Sequence, residues 1–255
     1  ELVNFIEDKI KNEKWSPETV IGYINTHPDL NFQTEICFKT LYNYIHAGLF
    51  LNVRESDLKH YCKKKKKEGK LIALHNLRGT SIAQRPEEIR SRNSFGHWEM
   101  DTVIGQRDKK NCLLVLSERK TRTEIIRKIK SKSQEAVKAA LDQIERDLGA
   151  ETFRERFKTI TTDNGVEFLD AGKIETSVFK GKRTTSYYCH PYSSWERGTN
   201  ENINKMIRRW IPKGADITLY TDQQIAYIEH WINAFPRKIF GFRSSRDMLR
   251  AELQQ

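Results

Sequence analysis

Two aspartates stand out by their surroundings. Asp101 lies in the middle of Trp98-Glu99-Met100-Asp101-Thr102-Val103, a run that reads as a β-strand. Asp163 closes the strand-like run Phe157 to Thr162 and precedes Asn164-Gly165. A carboxylate set among apolar residues on a central strand is costly to bury unless it is paired or binds a metal. Two carboxylates brought together repel, and a divalent cation relieves the repulsion. Hard cations such as Mg²⁺ take oxygen ligands and keep waters, so two or three carboxylates suffice. Each residue alone has a plainer reading. Asp163-Asn164-Gly165 suits a β-turn, and Asp101 could be a surface charge on an edge strand. As a pair, on strands that a mixed sheet can make neighbours, they favour a metal site.

A third carboxylate is expected from the helix after the fifth strand, where Glu196 and Glu201 are candidates. Glu201, Lys205 and Arg208 fall at i, i+4 and i+7, so one helical face offers one acid and two bases. That face is either an exposed salt-bridged surface or a metal-ligating glutamate with cations beside it to grip phosphates. Glu196 lies near the expected helix N-terminus, where the helix dipole favours an acid in any case. Five residues turn the two acids about 140° apart, so they cannot both face the same ions. Glu201 is preferred.

These residues need elements to hold them. Trp98 to Gly105, Cys112 to Ser117 and Thr123 to Ile129 form a strand meander. Ser133 to Leu148 is an amphipathic helix with Val137, Leu141, Ile144 and Leu148 on one face. Phe157 to Thr162 is a fourth strand, and Thr184 to Cys189 a fifth. Helices follow from about Trp195 to Trp210 and from Thr221 to Phe235. This order is that of the ribonuclease-H-like α/β fold, a mixed sheet flanked by helices. Residues 1–58 read as a small all-α domain. Leu2, Ile6 and Ile10 recur at helical spacing, Ser16-Pro17-Glu18 starts a second helix, a further start falls near Asn31, and Thr40, Leu41, Tyr44 and Ile45 lie on another helix. The pattern fits a helix-turn-helix as well as an ordinary helical hairpin. Residues 59–95 read as a basic linker containing Lys63, Lys64, Lys65, Lys66 and Lys67, and 96–255 as the catalytic domain. Glu1 falls inside the first helical pattern, which predicts that a segment upstream has been removed.

The chain has 255 residues and a formal charge of +11, with a pI near 9.4. Such a surplus puts nucleic acid first among partners, because Lys and Arg release counterions from phosphate backbones. At 37% hydrophobic and 10% aromatic the composition supports a folded core. Cys37, Cys62, Cys112 and Cys189 show no zinc spacing and read as thiols of a reducing cytosol. No apolar stretch suits a membrane and no secretory signal opens the chain, so a cytoplasmic, bacterial setting is expected.

Several runs together resemble one family. They are Ile82-Ala83-Gln84-Arg85-Pro86, Gly96-His97-Trp98-Glu99-Met100-Asp101-Thr102-Val103-Ile104-Gly105, Thr162-Asp163-Asn164-Gly165 with Glu167-Phe168, and His190-Pro191-Tyr192-Ser193-Ser194-Trp195-Glu196-Arg197-Gly198-Thr199-Asn200-Glu201-Asn202. With Asn233-Ala234-Phe235-Pro236-Arg237-Lys238 and Gly241-Phe242 they are similar to the IS-thirty family of insertion-sequence transposases over residues 80 to 245. The resemblance implies a ribonuclease-H-like core with the catalytic triad Asp101, Asp163 and Glu201, preceded by helix-turn-helix DNA binding. It implies two-metal phosphoryl transfer by Mg²⁺, with Mn²⁺ as substitute, the ions about 4 Å apart and no covalent protein–DNA intermediate. Tyr187, Tyr188 and Tyr192 leave the question of a tyrosine nucleophile open.

The expected activity is metal-dependent cleavage of double-stranded DNA and strand transfer from transposon ends to a target. A homodimer or higher assembly on DNA is expected, because two ends must be held together. Arg85, Arg197, Lys205, Arg208 and Arg209 join the lysine run as expected DNA contacts. The alternatives are a nuclease or resolvase that does not join ends, and a DNA-binding regulator that has lost the chemistry. Two departures from the family pattern are visible. The stretch from Asp163 to Glu201 is a few residues long, with the excess in 169–183, and Met100 stands where a small residue is expected.

Overall fold

A computed structural model of the chain describes residues 1–58, 79–190 and 198–254; within 198–201 it describes only the side chain of Asn200. The chain divides into two compact units, Glu1–Leu71 with Ala234–Ala251, and Ile72–Asn233 with Glu252–Gln255. The lysine run 63–67 lies outside the described residues.

In the first unit, helix α1 spans Leu2–Lys11, α2 Pro17–Thr26 and α3 Phe38–His46. The Ser16 hydroxyl caps α2 by accepting from the Thr19 amide at 3.2 Å, and Pro17 occupies the first turn, where its missing N–H costs nothing. Asn31 does not start a helix. It closes the short turn Pro28–Leu30 in the left-handed region (φ 42°), which asparagine tolerates better than most residues. Ile6, Ile10, Trp15, Val20, Ile21, Leu41, Ile45 and Val53 form the core.

The C-terminal segment belongs here and not, as expected, with the α/β unit. The Phe235 ring meets Trp15 edge-on, and Phe242 fills the space over Gly22, where a β-carbon would fall 2.0 Å from the ring. These aromatic rings find their apolar contacts on the small helical core. Helix α10, Ser245–Leu253, follows.

The second unit holds a five-stranded sheet in the order β3-β2-β1-β4-β5. Strands β1 (His97–Ile104), β2 (Cys112–Glu118) and β3 (Glu124–Ile129) are antiparallel; β4 (Thr159–Thr162) and β5 (Thr185–Tyr188) run parallel to β1. A short helix α4, Glu87–Arg90, precedes β1. Between β3 and β4 run α5 (Gln134–Leu148) and α6 (Ala150–Arg156), and between β4 and β5 runs α7 (Ala171–Glu175). Helices α8 (Gly198–Ile207) and α9 (Asp222–Ala234) complete the described elements of this unit.

One sheet face presents Trp98, Met100, Leu114, Leu116 and Ile160 to Val137, Leu141 and Ile144 of α5. Met100 is fully buried there, so the large side chain fills core space. Helix α6 went unread in the sequence. Gly149 (φ 82°) breaks the helical run, and Phe157 stacks on Trp98 and Phe153 at 4.4 and 4.3 Å instead of opening a strand.

The segment before β1 is a second correction. Residues 79–95, expected as linker, pack onto the sheet. Ser81 bridges Tyr188 in parallel, the Tyr188 amide donates to Thr80 O at 2.9 Å, and Ile82 and Ile89 are buried. The opposite edge, β3, is covered by side chains of α9. Asn233 both donates to and accepts from the Glu124 backbone at 2.8 Å, and Glu229 accepts from the Ile126 amide at 2.6 Å.

The longer stretch 169–183 is tied down by a buried ion network. Arg183, 1% exposed, donates to Asp142 Oδ1 (2.6 Å), Glu145 Oε2 (3.3 Å) and the carbonyls of Ile174 and Lys173 (2.7 and 2.8 Å). The Ser177 hydroxyl and the Val178 amide also donate to Glu145.

At the β1–β4 seam His97 Nδ1 lies 2.8 Å from Thr159 Oγ1. Burial, reinforced by Lys158, Arg119 and Arg85, pushes its pKa down to about 4. The unfolded chain therefore binds a proton that the folded chain refuses. Native stability from the neutral ring is fully present above pH 6.5 and is lost as pH falls toward 4. Urea unfolding at steps across this window should show a pH slope that His97→Gln reduces by up to about 1.4 kcal/mol per pH unit. Equal slopes for the two proteins would show that His97 is not the responsible group. Among the described residues no helix is long and apolar enough to cross a membrane.

Candidate active site

Strand β1 pairs in parallel with β4 through His97–Thr159, Trp98–Ile160 and Glu99–Thr161. Asp101 lies two residues past Glu99 on β1, and Asp163 two residues past Thr161, just beyond the end of β4. Side chains alternate along a strand, so Asp101 extends from the face of β1 that carries Glu99, opposite the α5 core. Both aspartates are half-buried. Glu99, on the same face, is fully buried and paired with Arg119 at 3.2 Å, whose Nη1 donates to the Ile89 carbonyl; it is a structural charge.

Local backbone groups aim the two carboxylates. Asp101 Oδ1 accepts from the Thr102 amide at 2.9 Å, and its Oδ2 from Asn204 Nδ2 on α8 at 3.1 Å. Asp163 Oδ1 accepts from the Gly165 amide at 2.9 Å, while Asn164 Nδ2 donates to the Cys189 carbonyl at 2.8 Å, pinning the turn to the end of β5. The turn reading of Asp163-Asn164-Gly165 and the site reading therefore describe the same atoms. A β-carbon at Gly165 would sit 2.6 Å from Glu167 Oε2 and 2.9 Å from Asp163 Oδ1, so any larger residue would push these two carboxylates from their places.

Helix α8 packs against β1 and β2. Residue 201 lies one turn before Asn204, whose amide reaches Asp101, but the Glu201 side chain is outside the described residues. Glu196, Arg197 and Tyr192 also lie outside them. Among the described residues no three His, Cys, Asp or Glu side chains are grouped to hold a metal. The donors present, carboxylate oxygens on β1 and on the turn that follows β4, are of the kind a hard divalent cation takes.

The expected DNA contacts fall in different places. Lys205 is exposed. Arg208 is half-buried and donates to the carbonyls of Ile104 (2.7 Å), Ile211 (3.4 Å) and Pro212 (3.3 Å), tying the end of α8 to the end of β1. Arg209 lies over the Trp231 ring at 5.7 Å, and burial lowers its pKa. Arg85 is 7% exposed and donates to Thr161 Oγ1 at 3.2 Å.

Of the tyrosines, Tyr188 is buried with its hydroxyl donated to the Phe168 carbonyl, and burial pushes its pKa up to about 12. Tyr187 is buried as well. Both are poorly placed as nucleophiles. Burial, with the Glu167 charge next, raises the Cys112 thiol to about 11, which keeps it protonated and unreactive. Sequence reasoning passed over Asn204, although i+3 from Glu201 is the same helical face. Glu167 and Thr102 stand out in the sequence only within the family-like runs, because their contact joins residues 65 positions apart and leaves no local signal.

No family model matches the chain. It is 37% identical over 211 residues to a probable transposase for the insertion-like sequence element IS1161 of Streptococcus salivarius, covering 82% of this chain and 57% of that one. It is 32% identical over 244 residues to the transposase InsI for the insertion sequence element IS30C of Escherichia coli, covering 92% of this chain and 61% of that one. A transposase for the insertion sequence element IS4351 of Bacteroides fragilis is 36% identical over 174 residues, 68% of this chain and 50% of that one. The chain belongs to the insertion-sequence transposases, within the IS-thirty (IS30) family. It spans about three fifths of the length of the first two relatives and half of the third.

Proposed function

We propose that this chain is the catalytic portion of a transposase that binds the ends of an insertion sequence, cuts DNA and joins the freed ends to a target. The observation that supports the reading is the parallel pairing of β1 with β4, which brings the strand carrying Asp101 beside the strand that Asp163 follows, with α8 packed on β1. The strand order, an antiparallel meander followed by two parallel strands with helices between them, supports a ribonuclease-H-like core. Glu201, one turn before Asn204, completes the carboxylate set. The set suits two Mg²⁺ ions, with Mn²⁺ as substitute. When bound, such a pair supplies activation of a water or a DNA 3′-hydroxyl and stabilisation of the leaving oxygen. Thr102 and Asn204 orient Asp101, and the Gly165 amide orients Asp163.

DNA is the substrate this charge distribution favours. Lys205 beside the site, Arg197 and the run Lys63 to Lys67 are the proposed phosphate contacts. Helices α1–α3 are proposed as the end-recognition module, with helix-turn-helix character. Two ends must meet, so the active form is a dimer or larger on DNA.

A strand-transfer assay with pre-cut element ends, a target duplex and Mg²⁺ tests the activity. Joined product is expected. Cleavage without joining would replace this reading with a nuclease or resolvase, and binding without either with a regulator.

A further inference from the structure

We propose that Glu167 is a positioning residue: a buried carboxylate that holds the stretch of β1 bearing Asp101 and the turn bearing Asp163 in fixed relation, and so sets how tightly a divalent cation binds between them. The inference rests on the assignment of Asp101 and Asp163 as metal ligands.

Glu167 lies in the short turn Val166–Phe168, directly after the Asp163 turn, and is 2% exposed. Its Oε1 accepts from Thr102 Oγ1 at 2.7 Å and lies 3.2 Å from Lys132 Nζ. Thr102 is the residue whose amide orients Asp101. Glu167 Oε2 is buried without a hydrogen-bond partner among the described residues, and it shares with Asp163 Oδ1 the small space above Gly165. One side chain thus touches β1 beside the first aspartate, the turn of the second, and the β3–α5 loop through Lys132.

Packing alone does not explain a carboxylate here. A glutamine would accept the same bond from Thr102 without the desolvation cost of a buried charge, and an apolar residue would fill the space. Lys132 offsets that cost only partly, because its own side chain is 38% exposed to competing water. What the charge adds is negative potential beside Asp163, together with a link that moves the two ligand-bearing segments as one. Groups that orient metal ligands in this way typically change metal affinity 10–100-fold when removed.

The test follows the free-ion EPR signal of Mn²⁺ titrated with the full chain, without DNA, for wild type, Glu167→Gln, Thr102→Val and Thr102→Ser. Glu167→Gln should weaken Mn²⁺ binding roughly 10–100-fold. Thr102→Val should weaken it in the same direction, and Thr102→Ser, which restores the hydroxyl, should bind as wild type does. Asp163→Asn serves as the control.

If Glu167→Gln and Thr102→Val bind Mn²⁺ within about twofold of wild type, while Asp163→Asn loses it, the role of Glu167 is rejected and the site assignment stands. If Asp101→Asn and Asp163→Asn also bind as wild type, the site assignment itself fails. Thermal unfolding in EDTA accompanies each titration. Should Glu167→Gln fail to unfold cooperatively, Thr102→Val against Thr102→Ser decides, since that pair differs in the hydroxyl at nearly constant shape.

Discussion

Asp163→Asn should abolish both cleavage and joining, by at least ~10³-fold or about 4 kcal/mol in barrier, while DNA binding and thermal stability stay near wild type. The substitution is unusually clean. The native Oδ1 accepts from the Gly165 amide, and an asparagine oxygen can accept the same bond, so this turn contact is kept while the charge is lost. Asp101→Asn should be as inactive but less silent structurally. Asp101 Oδ2 accepts from Asn204 Nδ2, so an amide introduced there forces Asn204 to flip and offer its own oxygen.

Glu201→Gln is expected to match Asp163→Asn, and Glu196→Gln to lower activity only partly. The measurements are cleavage and strand-transfer rates, with end binding followed in parallel by gel shift. Residual activity above a tenth of wild type in Asp163→Asn, with the protein folded, would remove Asp163 from the chemistry.

The second large effect concerns stability. Arg183→Met should destabilise the α/β unit by roughly 3–5 kcal/mol, because it takes the buried cation away from Glu145 and leaves Asp142 its pair with the part-exposed Lys138. Glu145 is fully buried, and Arg183 also holds two backbone carbonyls that would lose their donors. Adding Glu145→Gln to Arg183→Met should recover part of the loss, since the uncompensated charge is the main cost. The penalty should also shrink below the normal carboxylate range, where these acids take up protons. Urea unfolding of the three proteins at neutral and acidic pH measures this. A loss below about 1 kcal/mol for Arg183→Met would mean that water reaches the network.

Much of the catalytic half was legible because its elements carry local signals. β1 to β3 are β-rich runs between polar breaks, α5 has a clear apolar stripe, and Asp101 is conspicuous within its strand. Three features were not legible. Residues 79–95 lack periodicity because they are held by scattered anchors, such as Thr80 O with the Tyr188 amide, that no pattern announces. The destination of Phe235 and Phe242 depends on which core offers apolar contact, a long-range choice. Glu167 was visible only as part of a motif; its bond to Thr102 depends on β1 and β4 being neighbours. Arg85 offers a basic residue in a basic chain, and its bond to Thr161, 76 positions away, has no local signal in the sequence.

Both rims of the sheet are already occupied, β3 by the Asn233 and Glu229 side chains and β5 by the bridge from Ser81. An uncovered rim would offer unpaired amides and carbonyls as a template for a second copy's backbone. At Glu124, Ile126 and Tyr188 that route is closed, because their outward backbone groups are taken up within the chain. If copies assemble on DNA as proposed, these stretches leave the contact to helix faces, loops or the nucleic acid itself.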